Sequence, residues 1–364
     1  MNIIHSKKEH KHKILITNFH VKNGGGHNTY INSLLKSKMF EYHVACPSSS
    51  DTYKSLSGYK NLVNITFPSK PKEIMGIVKS FRHLKKYIIE NEIEAIHSNG
   101  SPDNRMAIYL KYWMLFFKNK SIKIIHTKHN SYPVNGVAST WRMKKACDAV
   151  IFVCCDAFNK AGSPEDINYA IIENGVDINY WKEPVAEKTD TKIHLVSIAG
   201  IASYKRWDIL LDALNSLHRS AAEKFSVTLV GGVPVNHTLL IKKASEVGYE
   251  LNFIDKTATP KEHLKYKDIG FVLSDKTETI SFACREMMAY GMPVIVSDFS
   301  GLPDNITDGH DGWITKKGNA ESVREILIHL STLSQNDLFT LKSNAQQKAI
   351  NAFSIEKMID MTNS

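Results

Sequence analysis

Short apolar runs alternate with longer amphipathic stretches along most of the chain. Residues 13–19 (KILITNF) form the first run, which ends at a loop holding Gly24, Gly25 and Gly26; an amphipathic stretch from His27 to Leu35 follows. That order predicts strand, glycine turn, helix. Residues 41–46 read as a second strand. Residues 72–90 carry Ile74, Ile77, Val78, Phe81, Leu84 and Ile88 at helical spacing. Further short strands are expected at 93–97, 122–126 and 149–153, with a helix over 105–117. Strands that alternate with helices predict a parallel sheet.

The alternation stops over residues 175–192 (GVDINYWKEPVAEKTDTK), a polar stretch that reads as a linker, and then restarts. Strands are expected at 194–199, 226–230 (ending in Gly231-Gly232), 250–254, 269–273 and 293–296. Helices are expected at 207–218, 239–247 and 282–290. The last 45 or so residues read as helical, including 322–333 and 355–362. The fold class expected is α/β, with two Rossmann-like doubly wound parallel-sheet domains facing a central cleft. In such sheets ligands sit outside the carboxyl ends of the strands. The domains are expected over 1–180 and 190–345, with a C-terminal helix in 346–364 crossing back to the first.

Composition adds bounds. At 364 residues the chain is too long for one ordinary α/β core and sufficient for two. The N-terminus has no apolar segment of the secretory kind, so no signal peptide is expected. The most lipid-like stretch, Leu110 to Phe117, is interrupted by Lys111 and is far shorter than the roughly 20 apolar residues of a spanning helix. Cys46, Cys147, Cys154, Cys155 and Cys284 are odd in number and fit neither a disulfide framework nor a zinc site, so buried reduced thiols and a cytoplasmic location are expected. Residues 1–150 hold 24 Lys and Arg against 9 Asp and Glu, and the remainder 22 against 28. This asymmetry points the first half at an anionic partner or leaves it a soluble basic surface. Lys79, Arg82, Lys85 and Lys86 on the helix from Lys72 suit an anionic membrane surface.

The most informative segment is 275–297, DKTETISFACREMMAYGMPVIVS. Glu278 ends the loop after the strand at 269–273, and Glu286 lies eight positions on, inside the next helix. The helix start at Ile280, Ser281 and Phe282 offers free N–H groups and the positive end of the helix dipole, a ready site for a diphosphate. A loop carboxylate beside it can accept from sugar hydroxyls, and one about two turns in can accept from ribose hydroxyls. Taken alone, the two glutamates are equally consistent with solvated helix-face charges.

This segment resembles the E-x7-E motif of retaining glycosyltransferases of family 4, which have the GT-B fold. Met287-Met288-Ala289-Tyr290-Gly291-Met292-Pro293-Val294 is similar to that motif's continuation. Gly301-Leu302-Pro303-Asp304 and Asp308-Gly309 resemble the run that follows it. Glu173-Asn174-Gly175-Val176-Asp177 looks like the family's N-G-V-D signature. Ala199-Gly200 through Lys205, with Asp208 to Ala213, resembles its G-R…K-G-x-D segment. Val230-Gly231-Gly232 resembles its V-G-x-G strand end. The resemblance implies that Glu278 contacts the transferred sugar, Glu286 the ribose, and Lys205 the leaving phosphate. A fixed cation there stabilises developing negative charge more than it stabilises the ground state. Ile201 stands where the family usually has Arg, with Arg206 as a neighbouring substitute.

In the first half, Gly25 and Gly26 allow close backbone approach to a phosphate. His129 in HTKHN matches the family's strand-end T-x-H histidine near the reacting centre, with His126 second. His97, Asp103 and Arg105 are acceptor-side candidates. The resemblance further implies front-face transfer with retention, no metal and no cofactor beyond the nucleotide-sugar co-substrate, with a UDP-sugar as donor. It implies a glycan or glycolipid acceptor, in bacterial lipopolysaccharide or surface-polysaccharide assembly at the inner face of the membrane. A nucleotide-sugar epimerase and an inactive nucleotide-sugar binder share the fold. A nucleic-acid-binding protein lacks support from any basic stripe, zinc spacing or aromatic RNA motif.

Overall fold

The computed structural model describes residues 11–21, 25–164, 166–185 and 190–364. Gly24 lies outside them. The chain divides into two compact units. One runs up to Val153 and takes in Phe158–Ile172 and Thr362–Ser364; the other holds Cys154–Ala157 and Glu173–Met361.

The first unit is a seven-stranded sheet of β1 (Lys13–Thr17), β2 (Glu41–Cys46), β3 (Leu62–Asn64), β4 (Ala95–Ser98), β5 (Lys123–Lys128), β6 (Ala149–Phe152) and β7 (Tyr169–Ile171). Its order is β3-β2-β1-β4-β5-β6-β7, with the paired strands parallel. Leu15, Ala45, Ile96 and Ile124 project from one face into a core with Leu84 and Ile88 of the helix Ile74–Glu90 and with Met106, Leu110 and Met114 of the helix Ser101–Lys118. The chain ends in this unit, where Asn363 Nδ2 donates to Ser37 Oγ at 3.1 Å.

The second unit is a six-stranded parallel sheet of β8 (Ile193–Ser197), β9 (Phe225–Val230), β10 (Glu250–Ile254), β11 (Ile269–Val272), β12 (Val294–Ser297) and β13 (Gly312–Thr315), ordered β10-β9-β8-β11-β12-β13. Adjacent residues split between its two faces. Leu195, Leu229, Phe271 and Ile295 enter one core; Val196, Val230, Val272, Val294 and Val296 enter the other. A sheet covered on both sides needs apolar residues at successive positions, which is why these strands read as unbroken apolar runs. In each sheet the strand order reverses once, beside β1 and β4 and beside β8 and β11. Chain crossovers leave from opposite sides of such a point, which opens room for a ligand at the strands' carboxyl ends.

Three strands escape the sequence reading: β3, β7 and β13. All lie at sheet edges and have only three or four residues, too few for an apolar run to register. The first part of the expected linker is ordered within the second unit. Asp177 caps the helix Ile178–Trp181 by accepting from the Tyr180 amide at 3.0 Å, and Trp181 is buried in the core with Val176. The cysteines are all free, but Cys155 is exposed and Cys147 half-buried, which corrects the expectation of five buried thiols.

Candidate active site

In the second unit the loops after β8, β9 and β11 converge. After β8 the backbone turns at Gly200, with φ +82°, and a Cβ on Gly231 would lie 2.8 Å from the Gly200 Cα. Only glycine lets these two strand ends approach so closely. The Ile201 side chain fills the space beside Gly232 and packs on the core, so the position where the resemblance leads one to look for Arg is an apolar wedge.

Ser203–Lys205 forms a single 3₁₀ turn, and Arg206 follows in the left-handed region at φ +49°. This reversal sends the two neighbouring cations to different partners. Lys205 Nζ donates to Glu278 Oε2 at 2.5 Å, and Ser274 Oγ donates to the same oxygen at 3.0 Å. Arg206 takes Asp208 through Nε and Nη2 and Asp275 through Nη1 at 2.7 Å. The bonds to Asp208, then those to Asp275, raise the Arg206 pKa further, so its charge is fixed. Arg206 is thus committed to two carboxylates, whereas Lys205 stands with Glu278.

The loop from Ser274 to Ser281 holds two non-glycine residues in the left-handed region, Thr277 at φ +52° and Ser281 at φ +50°. Such residues cost on the order of 1 kcal/mol each and persist where the surroundings fix them. Here the fixing group is Asn305, whose Nδ2 donates to the Ile280 carbonyl at 2.9 Å while its Oδ1 accepts from Arg285 Nε at 2.7 Å. Arg285 is fully buried; it also donates to the Asn174 carbonyl and to Glu173, and stacks on Phe353 with its guanidinium carbon 4.0 Å from the ring centre. Ile280 is buried, and Ser281 starts the helix Phe282–Tyr290 without a side-chain cap. The first N–H groups of that helix therefore meet no capping side chain, as an anion-binding end requires. Glu286 sits one turn in, half-buried, with no hydrogen-bond or ion-pair partner among the described residues. Burial alone pushes its carboxyl up to about 7.

In the first unit Gly25 and Gly26 open the helix Gly25–Leu34 beyond the carboxyl end of β1. The neighbouring strand ends carry histidines. The His20, His27 and His129 rings lie 4.2 and 4.3 Å apart in succession, and Tyr30 meets His129 edge-on at 4.7 Å. Burial, then neighbouring histidines, hold His129 well below the usual imidazole range. Burial likewise pushes His97 down to about 3 and His126 to about 4. These rings are neutral hydrogen-bonding groups near pH 7. Asn99 Nδ2 donates to the Thr17 carbonyl at 3.0 Å, which can only accept, so its Oδ1 faces His129 Nε2 at 2.8 Å. His129 thus carries its proton on Nε2 and presents Nδ1 as an acceptor.

Two acceptor-side expectations change. Asp103 is fully buried, accepts from Thr17 Oγ1 and the Asn99 amide at 2.8 Å each, and is pushed up to about 7 by burial. It shapes the β1 and β4 ends rather than meeting an acceptor. His97, also buried, bonds Thr127 Oγ1 at 2.7 Å, and Tyr30 shares that hydroxyl at 3.2 Å. Arg105 is half-buried with no partner among the described residues.

Residues 180–348 match the family model described as Glycosyl transferases group 1. Residues 180–348, most of the second unit, are thus similar to group 1 glycosyl transferases. An uncharacterized glycosyltransferase of Methanocaldococcus jannaschii is 26% identical over 87% of this chain and 88% of its own length. The amylovoran biosynthesis glycosyltransferase AmsK of Erwinia amylovora is 38% identical over 46% of this chain and 42% of its own. Among solved structures, Anabaena HepE in complex with UDP-glucose superposes with a TM-score of 0.73 at 17% identity, over 96% of this chain and 98% of its own. That likeness is one of fold, and it spans both sheets.

The sequence reading missed Asn99, Ser274 and Arg285. Ser274 was within reach, four positions before Glu278 at a strand end. Arg285 was hidden because an arginine inside an amphipathic helix reads as solvent-facing, and Asn99 because strand-end asparagines are common in turns.

Proposed function

We propose that this chain is a retaining, family 4-type glycosyltransferase that moves a sugar from a nucleoside diphosphate sugar, with UDP as the nucleotide, to a glycan or glycolipid acceptor in bacterial surface-polysaccharide assembly. The observation that carries this reading is the grouping at the β8 and β11 ends: Lys205 on Glu278, an uncapped helix start, and an unpartnered Glu286. The diphosphate lies against the helix N–H groups and draws Lys205 toward it. Glu278, relieved of part of that ion pair, accepts from the sugar hydroxyls. Glu286 takes the ribose hydroxyls and ionises as it does so. The C1–O bond to the diphosphate breaks, the acceptor oxygen bonds to C1 on the same face, and its proton passes to the leaving phosphate oxygen. Lys205 and the helix dipole stabilise the charge that builds on the phosphate. In this scheme no divalent ion takes part, so EDTA leaves turnover unchanged. The enzyme works on the cytoplasmic face of the membrane.

A screen of nucleotide sugars for thermal stabilisation tests the donor, since a ligand of the native state raises the melting temperature by mass action. UDP-glucose is expected to stabilise and ADP-ribose is not. No stabilisation by any nucleotide sugar sinks the reading. UDP release that requires an acceptor marks transfer. Interconversion of the donor sugar without UDP release marks an epimerase, and binding without either marks an inactive binder.

A further inference from the structure

Half-buried cations in this fold are generally paired. Arg206 takes two carboxylates, the buried Arg285 takes Glu173, and Lys205 takes Glu278. Two arginines of the first unit break that pattern. Arg142 donates to Ser139 Oγ at 3.0 Å, but among the described residues neither it nor Arg105 meets a carboxylate. Burial, then the Arg105 charge, lower the Arg142 guanidinium, so the two cations are close enough to repel.

Arg142 lines a cavity of about 260 Å³ beyond the carboxyl ends of β4 and β5, with Asn99, Asn104, His126 and His129, and its described lining contains no Asp or Glu. Gly100, also in the lining, starts the 18-residue helix Ser101–Lys118 without a side-chain cap. A half-buried pair of like charges is unfavourable unless something of opposite sign completes it. A guanidinium offers a planar fork of donors that matches a carboxylate or phosphate.

We propose that this cavity binds an anionic group, a carboxylate or a phosphate, carried by the acceptor sugar, with Arg142 as its cationic contact, Lys128 also in the lining on the Asn130 and Tyr132 oxygens, and Arg105 adding positive charge from outside the lining. This rests on the glycosyltransferase reading for the word acceptor but not for the binding itself. The cavity is smaller than the roughly 300–1,000 Å³ of pockets for drug-sized ligands, a volume suited to one substituted sugar ring. Asn104, His126 and His129 add neutral hydrogen-bonding side chains to the lining. The acceptor is therefore an acidic or phosphorylated sugar.

The test is equilibrium binding to the full chain at low salt by ligand-observed NMR. The probes are p-nitrophenyl β-D-glucuronide against p-nitrophenyl β-D-glucoside, and glucose 6-phosphate against glucose. At least one charged probe is expected to bind about tenfold more tightly than its neutral counterpart, and the pair with the larger ratio identifies carboxylate or phosphate as the group. Arg142→Gln should remove most of that preference and Arg105→Gln part of it, and both should leave the neutral probe unchanged. Equal binding of charged and neutral probes overturns the proposal, as does a preference that survives in the Arg105→Gln/Arg142→Gln double variant. Should Arg142→Gln fail to fold, Arg142→Lys, which keeps the charge and loses the planar fork, decides in its place by a reduced preference. UDP-glucose binding is followed on the same samples. Its absence with the anion preference intact defeats the glycosyltransferase reading and not the pocket.

Discussion

The strand ends of the two units handle charge in opposite ways. In the second, every half-buried cation at the β8 and β11 ends is held by a carboxylate: Lys205 by Glu278, Arg206 by Asp208 and Asp275. In the first, the β4 and β5 ends carry histidines held neutral by burial, Lys128 on the neutral Asn130 and Tyr132 oxygens, and, nearby, two arginines that meet no carboxylate among the described residues. A diphosphate leaving group brings two negative charges and needs a cation whose position is fixed in advance, because preorganised charge costs no reorganisation when the bond breaks. An acceptor hydroxyl attacking C1 is neutral and is better met by neutral imidazoles and amides. Under the function proposed above, the second unit would hold the leaving diphosphate and the first would meet the acceptor.

Removing the fixed cation is the hardest blow to that contrast. Lys205→Ala is expected to lower turnover by about 10²–10³-fold, the scale of losing one preorganised electrostatic contact in a transition state. Substrate KM should rise too, but by less, since the lysine meets the diphosphate's charge in the ground state and gains further from the charge that builds as the bond breaks. Steady-state release of UDP from the donor checks both numbers. If Lys205→Ala keeps near-normal turnover, the second unit does not hold the reacting phosphate.

The charge contrast extends to the surface, and the next test concerns that. On the helix Ile74–Glu90 the exposed Ile74, Met75 and Val78 share one shallow depression with Lys79 and Arg82. Apolar side chains that can enter a lipid interface beside cations that meet anionic headgroups are the two parts of a peripheral membrane contact. Each basic residue near such a surface contributes about 1 kcal/mol. Reversing both, Lys79→Glu/Arg82→Glu, should therefore weaken sedimentation with phosphatidylglycerol vesicles by about thirtyfold or more and leave soluble-substrate turnover alone. Unchanged sedimentation removes the membrane from the picture.

Smaller, and specific to the donor end, is the effect of pH through Glu286. Its carboxyl is raised to about 7 by burial in the free protein. A raised carboxyl favours the folded state at low pH, below its unfolded value, and that advantage is lost as pH rises through about 7. Donor binding runs the other way, because the ionised form is the better acceptor for ribose hydroxyls. Affinity for UDP-glucose, whose diphosphate does not titrate in this range, should rise several-fold between about pH 6 and pH 8. Glu286→Gln should be flat over that range and about tenfold weaker at the upper end. Calorimetric titration at the two pH values measures it, and a pH-independent wild type takes the ribose role from Glu286.

How much of this was visible in the chain itself follows from the range of the forces involved. Strands buried on both faces announce themselves as apolar runs, so β2 and β9 fall within a residue of where the pattern puts them, as does the helix Phe282–Tyr290; the edge strand β10 was also legible, through Leu251, Phe253 and Ile254. The short edge strands β3, β7 and β13 do not, and depended on their neighbours. The acidic pair was legible because Glu278 and Glu286 belong to one continuous segment. The partners that make them usable were not. Arg206 turns away from Lys205 because of a left-handed backbone angle that no residue type at that position demands, and Arg285 is held by groups as far along the chain as Glu173 and Asn305. Ile201 shows the same limit. Its departure from the expected Arg is plain in the sequence, while the reason, a wedge against Gly232, exists only where two strand ends meet.

The finest test concerns one proton in the first unit. His129 is fixed as the Nε2–H form only because Asn99 turns its oxygen toward it, and Asn99 does so because its nitrogen is held by the Thr17 carbonyl. Asn99→Ala removes the acceptor and lets the proton move to Nδ1, which exchanges the donor and acceptor roles of the two ring nitrogens. Turnover should fall by only a few-fold, since the ring stays packed on Tyr30 and His27. Asn99→Asp is more telling. A carboxylate beside the Nε2–H favours the imidazolium and raises a pKa that burial now holds well below the usual range. At saturating donor the variant should therefore lose activity as pH falls toward 6, where the wild type is flat, and recover it near pH 8. A purely structural asparagine would lower stability in both variants and leave the shape of the pH–rate profile unchanged, so the profile separates positioning from packing.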